Sequence, residues 1–198
     1  DTYVFTEEGF KSQAANALQD ETGNETINAA PMLHDMFIDL TNGLIAAEGV
    51  TDHIASWTVI ENAITGSGND RLDGNSADNS MQGRDGNDTL TGGLGNDTLS
   101  GGGGSDAAVY AGAMGEYAVS YDPDTQMVRV VDNLTSNGDD GTDTLSGVER
   151  LVFSDGELSL GATVGNHAPV ANRTVFDAPV VIGKGMGIEF ELPVSTFS

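Results

Sequence analysis

Between residues 65 and 109, one apolar residue recurs at every ninth position, and the residues around it are mostly small or polar. This segment divides into five consecutive nine-residue units, in which the first six residues favour turns and the last three favour a short strand. We expect the eighth residue of each unit to point inward, so that stacked units form a thin apolar seam between two parallel sheets. The inward positions are Leu72, Met81, Leu90, Leu99 and Ala108.

The short strands are expected to alternate between the two sheets, so that two units complete one turn of a coil. Units eighteen residues apart then lie above one another. This arrangement places Asp70, Asp88 and Asp106 in a column on one edge of the coil. Asn79 and Asp97 form the equivalent column on the other edge. The side chains at the sixth position of successive turns are therefore predicted to face each other.

The turn of each unit combines glycines with an acidic residue. Glycine lets the backbone curl so that its carbonyl groups point inward, where they lie beside the sixth-position carboxylates. Carbonyl and carboxylate oxygens are the ligands that Ca²⁺ prefers, about six to eight at a time. We therefore predict calcium ions between neighbouring turns, bound at the second, fourth and sixth positions of the units: Gly66, Gly68, Asp70, Asn75, Ala77, Asn79, Arg84, Gly86, Asp88, Gly93, Gly95, Asp97, Gly102, Gly104 and Asp106.

The repeated unit Gly-Gly-x-Gly-x-Asp-x-apolar-x resembles the calcium-binding repeat of RTX proteins. The stretch Val59–Ile64, which leads into Gly66–Asp70, resembles the beginning of the β-roll in serralysin-type secreted metalloproteases. That family has an earlier half-repeat, and Gly23-Asn24-Glu25-Thr26-Ile27 occupies the corresponding place here. The resemblance implies a further calcium site at Glu25, where Asp is usual.

At the predicted ligand positions, four residues depart from the repeat, and three of them fall in the second unit, whose site they are expected to weaken most. They are Asn75, Ala77 and Asn79 in that unit and Arg84 in the third. The resemblance implies an all-β fold, a parallel β-roll (β-solenoid) with β-rich caps at both ends.

Four segments are predicted along the chain: an N-terminal cap (1–58), the β-roll (59–110), a C-terminal β cap (111–165), and a linker with the truncated start of a β-sandwich (166–198). The first segment contains predicted strands at Tyr3–Phe5 and Met36–Leu40 and a short helix at Glu7–Leu18. In the third, strands are predicted at Tyr117–Tyr121, Met127–Asp132 and Leu151–Phe153.

Two segments after the repeats carry further resemblances. Residues 141–151 resemble a sequence often found after RTX repeats in large bacterial proteins. Residues 166–171, Asn-His-Ala-Pro-Val-Ala, resemble the linkers that open cadherin-like modules of bacterial surface proteins. The remaining residues are too few for such a module, which needs about 100 residues.

The charge of the chain points to cations as partners. Asp and Glu number 31 against 7 Lys and Arg, which gives a formal net charge of -24. Such a chain repels itself without metal and is predicted to bind neither nucleic acid nor anionic membrane. Cysteine is absent, so disulfides and thiolate metal sites are excluded. Ordering 27 glycines is entropically costly, and metal binding would offset that cost.

No catalytic constellation is found in the sequence, and we predict a protein segment that is not an enzyme. His34, His53 and His167 are isolated, and the His-Glu-x-x-His motif of zinc proteases is absent. Trp57, Tyr110 and Tyr117 could line a sugar-binding face, although packing at the boundaries of the caps is the favoured interpretation.

The resemblance implies a calcium-binding module that folds on Ca²⁺ binding outside the cell. It would stabilise a large, type I-secreted bacterial protein, either secreted or at the cell surface, with neighbouring domains of that protein as partners. Two alternatives stay open: an adhesin segment that binds a peptide or glycan ligand, and the non-catalytic tail of a secreted enzyme such as a protease or peroxidase.

Overall fold

A computed structural model of the chain describes residues 1–6, 23–55, 58–136 and 138–160. The predicted helix at residues 7–18, Trp57, and the predicted linker and sandwich strands after residue 165 lie outside the described residues. Among those that are described, no helix is long and apolar enough to cross a membrane.

The described residues form sixteen short strands and one 3₁₀ turn at Met114–Glu116. The strands are β1 (Thr2–Val4), β2 (Thr26–Asn28), β3 (Met36–Asp39), β4 (Leu44–Ala47), β5 (Val50–His53), β6 (Asn62–Ile64), β7 (Arg71–Asp73) and β8 (Ser80–Asp85). They continue with β9 (Thr89–Thr91), β10 (Thr98–Gly103), β11 (Ala107–Val109), β12 (Tyr117–Asp122), β13 (Met127–Asp132), β14 (Thr142–Ser146), β15 (Arg150–Phe153) and β16 (Gly156–Ser159).

Successive strands of the repeats alternate between two eight-stranded sheets. One sheet has the order β1-β2-β6-β8-β10-β14-β13-β12, and the other has the order β16-β15-β11-β9-β7-β3-β4-β5. Neighbours from β1 to β14 in the first sheet pair in parallel, as do neighbours from β3 to β15 in the second. Within the repeats, residues eighteen positions apart are therefore direct neighbours on adjacent parallel strands.

The prediction of an all-β fold is confirmed, and both sheets are mixed. Antiparallel pairing is confined to the ends, where β3-β4-β5, β12-β13-β14 and β15-β16 form hairpin ladders. Among the described strands, those that are consecutive in sequence pair antiparallel with each other only there; within the repeats, the chain crosses to the opposite sheet after each strand.

Two rows of inward-facing side chains form the core between the sheets. In the first sheet the paired strands align Ile27, Ala63, Met81, Leu99 and Leu145, none of them more than 1% exposed. The second sheet aligns Ile38, Leu72, Leu90, Ala108 and Leu151, all 0% exposed. Each row is only one side chain wide, so each added strand lengthens the core along the stack without making it thicker.

Aromatic residues thicken the core at its C-terminal end. The ring centroids of Tyr110 and Tyr117 are 5.1 Å apart, and Phe153 lies 5.6 Å from Tyr110 and 5.2 Å from Tyr117. All three side chains are buried. These distances are typical of aromatic packing, so neither tyrosine presents its ring to solvent.

Leu90→Ala should lower the free energy of unfolding by about 2–5 kcal/mol, because Leu90 is fully buried and the seam cannot close over the cavity. Leu94→Ala is the matched control, since Leu94 lies in the next unit and is 44% exposed. That change should stay within about 0.5 kcal/mol. Denaturant unfolding of both variants in one buffer measures the difference, and equal losses would contradict the inward assignment of the eighth position.

Candidate metal centre

The sixth-position side chains of one edge form a hydrogen-bonded column that crosses successive turns. The backbone N–H of Asp70 donates to Oδ1 of Asp88 at 2.8 Å, and the N–H of Asp88 donates to Oδ1 of Asp106 at 2.7 Å. At the ends of the column, the N–H of Met36 donates to Asp70 and that of Asp106 to Glu149, each at 2.7 Å. Each carboxylate is thereby fixed against the turn before it.

The other edge repeats the arrangement. The N–H of Asn79 donates to Oδ1 of Asp97 at 2.7 Å, and the N–H of Asp97 donates to Oδ1 of Asp143 at 2.9 Å. Lower in the same column, the N–H of Glu25 donates to Oε2 of Glu61 at 2.8 Å. Sixth-position residues of both edges are brought together as the eighteen-residue spacing predicts.

The second oxygen of four aspartates is buried without a hydrogen-bond partner. Oδ2 of Asp70, Asp88, Asp97 and Asp106 each lack one, and these residues are at most 2% exposed. Burying a charged carboxylate costs several kcal/mol unless a counter-charge or hydrogen bonds compensate. Four of the five sixth-position residues thus present a buried carboxylate oxygen whose charge a cation would compensate.

The space beside these oxygens is kept open by glycine. A Cβ added at Gly83 would lie 2.1 Å from Oδ2 of Asp88, and one at Gly92 would lie 2.1 Å from Oδ2 of Asp97. A side chain at Gly83 or Gly92 would therefore enter the space that the free oxygen faces. The glycines predicted from the repeat preserve room for a ligand of these carboxylates.

Backbone carbonyls of one turn approach the next turn closely. A Cβ at Gly86 would lie 1.6 Å from the carbonyl oxygen of Gly68, and one at Gly104 would lie 1.7 Å from that of Gly86. Both residues also have positive φ, +131° and +142°, which glycine adopts without strain. Carboxylate and carbonyl oxygens thus line the same turns, the donor set that hard cations such as Ca²⁺ bind.

The pKa values of the column reflect burial without a counter-charge. Burial above all, together with the neighbouring carboxylates of Asp70 and Asp106, raises the pKa of Asp88 to about 7. Burial likewise raises the pKa of Asp97 and Asp106 to about 6 and that of Asp70 above its usual value. A divalent cation beside these groups would oppose this effect, because it stabilises the ionised form.

The residue at the fifth position forms a second ladder, which the sequence analysis did not predict. The N–H of Asn87 donates to Oδ1 of Asn69 at 3.0 Å, and the N–H of Ser105 donates to Oδ1 of Asn87 at 2.8 Å. On the other edge the N–H of Asn96 donates to Oδ1 of Asp78 at 2.8 Å. Here the earlier turn supplies the acceptor, whereas at the sixth position the later turn does. Asn stands at the fifth position of three units, and this recurrence was the sequence signal for the second ladder.

The second unit is organised differently from the others. The Nδ2 group of Asn79 donates to the carbonyl oxygens of Ile60 at 3.2 Å and Glu61 at 3.3 Å, and its Oδ1 accepts the N–H of Asn75 at 2.9 Å. Asn75 in turn accepts the N–H of Ala77 at 2.8 Å. The side-chain amide of Asn79 thus supplies hydrogen bonds to carbonyls of the preceding turn that a cation could otherwise contact.

Other predicted residues occupy the expected places in the turns. Arg84 has φ of 80° at the second position, where Gly93 and Gly102 have φ of 99° and 114°. Gly95 has φ of 108° at the fourth position. Gly66 lies against the carbonyl oxygen of Met32, and Glu25 is buried below Glu61.

Three acidic residues join the columns without having been predicted as ligands: Glu61, Asp143 and Glu149. Residues 141–145 read Gly-Thr-Asp-Thr-Leu, which matches the second half of the fourth unit, Gly-Asn-Asp-Thr-Leu. This match was a usable signal for Asp143. The sequence signal for Glu149 is weaker: if Glu149 is the sixth position, only Gly147 at the fourth and Leu151 at the eighth position agree with the repeat.

No group of three or more His, Asp or Glu side chains with metal-binding geometry is found in the part of the chain that the structure describes. A cation between these turns would take two carboxylates at most and would need backbone carbonyls for its remaining oxygen ligands. Such a set combines charged carboxylates with neutral carbonyl oxygens. It suits Ca²⁺ better than Mg²⁺, because Ca²⁺ accepts a flexible arrangement of oxygen ligands whereas Mg²⁺ requires a near-ideal octahedron.

Comparison with known families agrees with this geometry. The profile of the RTX calcium-binding nonapeptide repeat, which contains four copies of the repeat, matches residues 61–86 and again residues 73–107. The repeats of this family are a non-catalytic module that binds calcium ions. No curated protein matches the chain. Residues 61–107 are therefore an RTX calcium-binding nonapeptide repeat region.

Proposed function

We propose that the chain is a calcium-dependent folding module, a β-roll whose turns are completed by Ca²⁺ ions between the stacked carboxylates. The observation that carries this proposal is the set of four buried Oδ2 atoms without partners, repeated at the sixth position on both edges. The columns of Asp70, Asp88 and Asp106 on one edge and of Asp97 on the other would supply the carboxylate ligands.

Folding and metal binding would be coupled because the calcium-free turns are electrostatically unfavourable. Their carboxylates are stacked in a chain with a formal net charge of -24. The hydrophobic core offers two rows of single side chains to offset this repulsion. Since the site exists only when the turns are stacked, the free energy of calcium binding becomes free energy of folding.

The flanking segments would act as caps on this roll. At the N-terminal end the hairpin ladder β3-β4-β5 ends one sheet, and at the C-terminal end the ladders β12-β13-β14 and β15-β16 end both. Antiparallel hairpins limit further parallel stacking and so protect the ends from association. We place the boundaries of the roll at residues 59–110, with caps at 1–58 and 111–165.

A role outside the cell would suit sites with the affinity of extracellular calcium modules. Extracellular calcium modules have dissociation constants of about 10⁻⁴ to 10⁻³ M, well above cytosolic calcium. A chain with these sites would stay unfolded during synthesis and export and would fold after secretion. This sequence of events suits a segment of a large exported protein.

An adhesin segment that binds glycans is less well supported. Glycan recognition would use exposed aromatic rings, whereas Tyr110 and Tyr117 are 5% and 2% exposed and pack on Phe153. The described residues thus favour a folding and stabilising role over direct recognition of a sugar.

Circular dichroism tests the proposal directly. With a chelator present, the chain should show little β-structure, and millimolar Ca²⁺ should restore it. Mg²⁺ at the same concentration should substitute poorly, because it requires strict octahedral geometry and loses water reluctantly. A β-rich spectrum in chelator that calcium leaves unchanged would contradict the proposal.

Asp88→Asn should act in opposite directions with and without calcium. In the presence of calcium, it should raise the half-saturating calcium concentration at least about 10-fold. Loss of an outer-shell partner alone lowers metal affinity by about 10- to 100-fold, and Asp88 is a proposed direct ligand. In chelator it should promote the folded state, since it removes a buried charge while Oδ1 still accepts the N–H of Asp70. Calorimetric titration and chelator-state circular dichroism measure the two effects.

Asp78→Asn is the matched control for this pair of measurements. It removes the same charge at the fifth position, where Asp78 is exposed and Oδ1 can still accept the N–H of Asn96. Its half-saturating calcium concentration should change less than threefold, which corresponds to about 0.6 kcal/mol of binding free energy. Equal effects of the two variants would show that net charge alone, and no specific site, governs binding.

Calcium affinity should fall on acidification. Because the pKa of Asp88 is raised from 3.8 to about 7, the calcium-free fold binds more protons than the unfolded chain between these values. The stability of the calcium-free fold therefore increases as the pH falls below 7 and decreases as the pH rises towards 7. Calcium binds only the ionised carboxylate, so protons compete with calcium below pH 7. For each such carboxyl, the half-saturating calcium concentration should rise about tenfold per pH unit below 7. An affinity that stays constant from about pH 8 to about pH 5.5 would contradict this assignment.

A further inference from the structure

The carboxylate columns continue past the fifth repeat. After Tyr110 the chain leaves the stack, forms the β12–β13 hairpin, and returns at β14 beside β10. Leu145 then pairs with Leu99 in the same register that Leu99 holds with Met81. The returning segment thus adds one more layer to the sheet, although its sequence lies outside the matched repeat region.

The turn that precedes β14 repeats the geometry of a calcium-type turn. A Cβ at Gly141 would lie 2.1 Å from the carbonyl oxygen of Gly95, as Gly86 lies against Gly68 on the other edge. The N–H of Thr142 donates to Oδ1 of Asn96 at 3.0 Å, which continues the fifth-position ladder. The backbone N–H of Thr144 donates to the carbonyl oxygen of Asp97 at 2.8 Å.

The carboxylates at this junction have the arrangement seen between repeats. Asp143 is 2% exposed, and its Oδ1 accepts the N–H of Asp97 at 2.9 Å. Asp97 is 1% exposed, and its Oδ2 has no hydrogen-bond partner. This oxygen is an independent indication of a ligand, because a buried carboxylate oxygen without a partner requires a cation or a donor.

A cavity of about 540 Å³ opens at the same place, lined on this side by Gly92, Gly93, Tyr110, Asp140 and Asp143. The Tyr110 hydroxyl is near Asp143 but makes no hydrogen bond of normal geometry. No lysine or arginine of the described chain forms an ion pair with the carboxylates of Asp97, Asp140 or Asp143. The junction is acidic, roomy and without a counter-charge.

We propose that a calcium ion binds between the Gly95–Asp97 turn and the Gly141–Asp143 turn, with Asp97 and Asp143 as its carboxylate ligands. The inference rests on the calcium-binding function proposed above and extends it to residues outside the repeats. The ion fastens together two turns that are 46 residues apart in sequence, so it fixes the C-terminal cap on the roll. Closing so long a connection is entropically costly, and the ion offsets that cost.

The test compares Asp143→Asn with Asp124→Asn in the full chain. The first change removes a ligand charge, and the amide oxygen can still accept the N–H of Asp97. The second removes the same charge from an exposed turn between β12 and β13. Calorimetric titration with Ca²⁺ should show one ion fewer per chain for Asp143→Asn and the native number for Asp124→Asn. The native number in both variants would overturn the site.

Terbium luminescence provides a second measurement that does not depend on the folding of Asp143→Asn. Tb³⁺ bound at this junction should be sensitised by Tyr110, which lies near Asp143. Tyr110→Phe should therefore reduce the tyrosine-excited emission, whereas Tyr3→Phe, in β1 at the far end of the sheet, should not. Equal emission from both variants would overturn the proposal. Failure of the native chain to bind any calcium would instead refute the function proposed for the repeats.

Discussion

The structure depends on how buried carboxylates are accommodated between stacked turns. At Asp88, Asp97 and Asp106 one carboxylate oxygen accepts a backbone N–H from the turn below, and the other faces space that glycine keeps open. The first interaction fixes the spacing of the turns, and the second leaves a buried charge that the proposed Ca²⁺ ion would balance. Stacking and cation binding are therefore two consequences of the same side chain.

The hydrophobic core and the turns share one period. Every nine residues the chain contributes one inward side chain and, in four of the five units, one sixth-position carboxylate, so most layers bring both apolar burial and negative charge. The two rows are one side chain wide, and many glycines must be ordered beside them. Stability must therefore come from the turns as well as from the core, which is why metal dependence is expected of this architecture.

The second unit shows a different solution to the same problem. The amide of Asn79 donates to the carbonyls of the preceding turn, so the layer is completed by hydrogen bonds within the chain. Replacing a carboxylate by an amide removes the charge and supplies donors in one step. The same stack thus combines turns that leave a buried carboxylate oxygen unpaired with a turn whose sixth-position side chain is hydrogen-bonded within the chain.

The sequence by itself determined the repeat, its inward apolar positions and its sixth-position oxygens, because strict spacing records which residues share a face. It also predicted which turns stack, since the strands alternate between two sheets. The local match to the repeat marked Asp143 as repeat-like, but only the tertiary structure showed which turns Asp143 and Glu149 stack on, because the intervening hairpin separates them from the repeats and breaks the period. The tertiary structure also decided the role of Asn79. An amide and a carboxylate have nearly the same shape, and only the positions of the neighbouring carbonyls show whether the site holds a hydrogen-bond donor or leaves an oxygen for a cation.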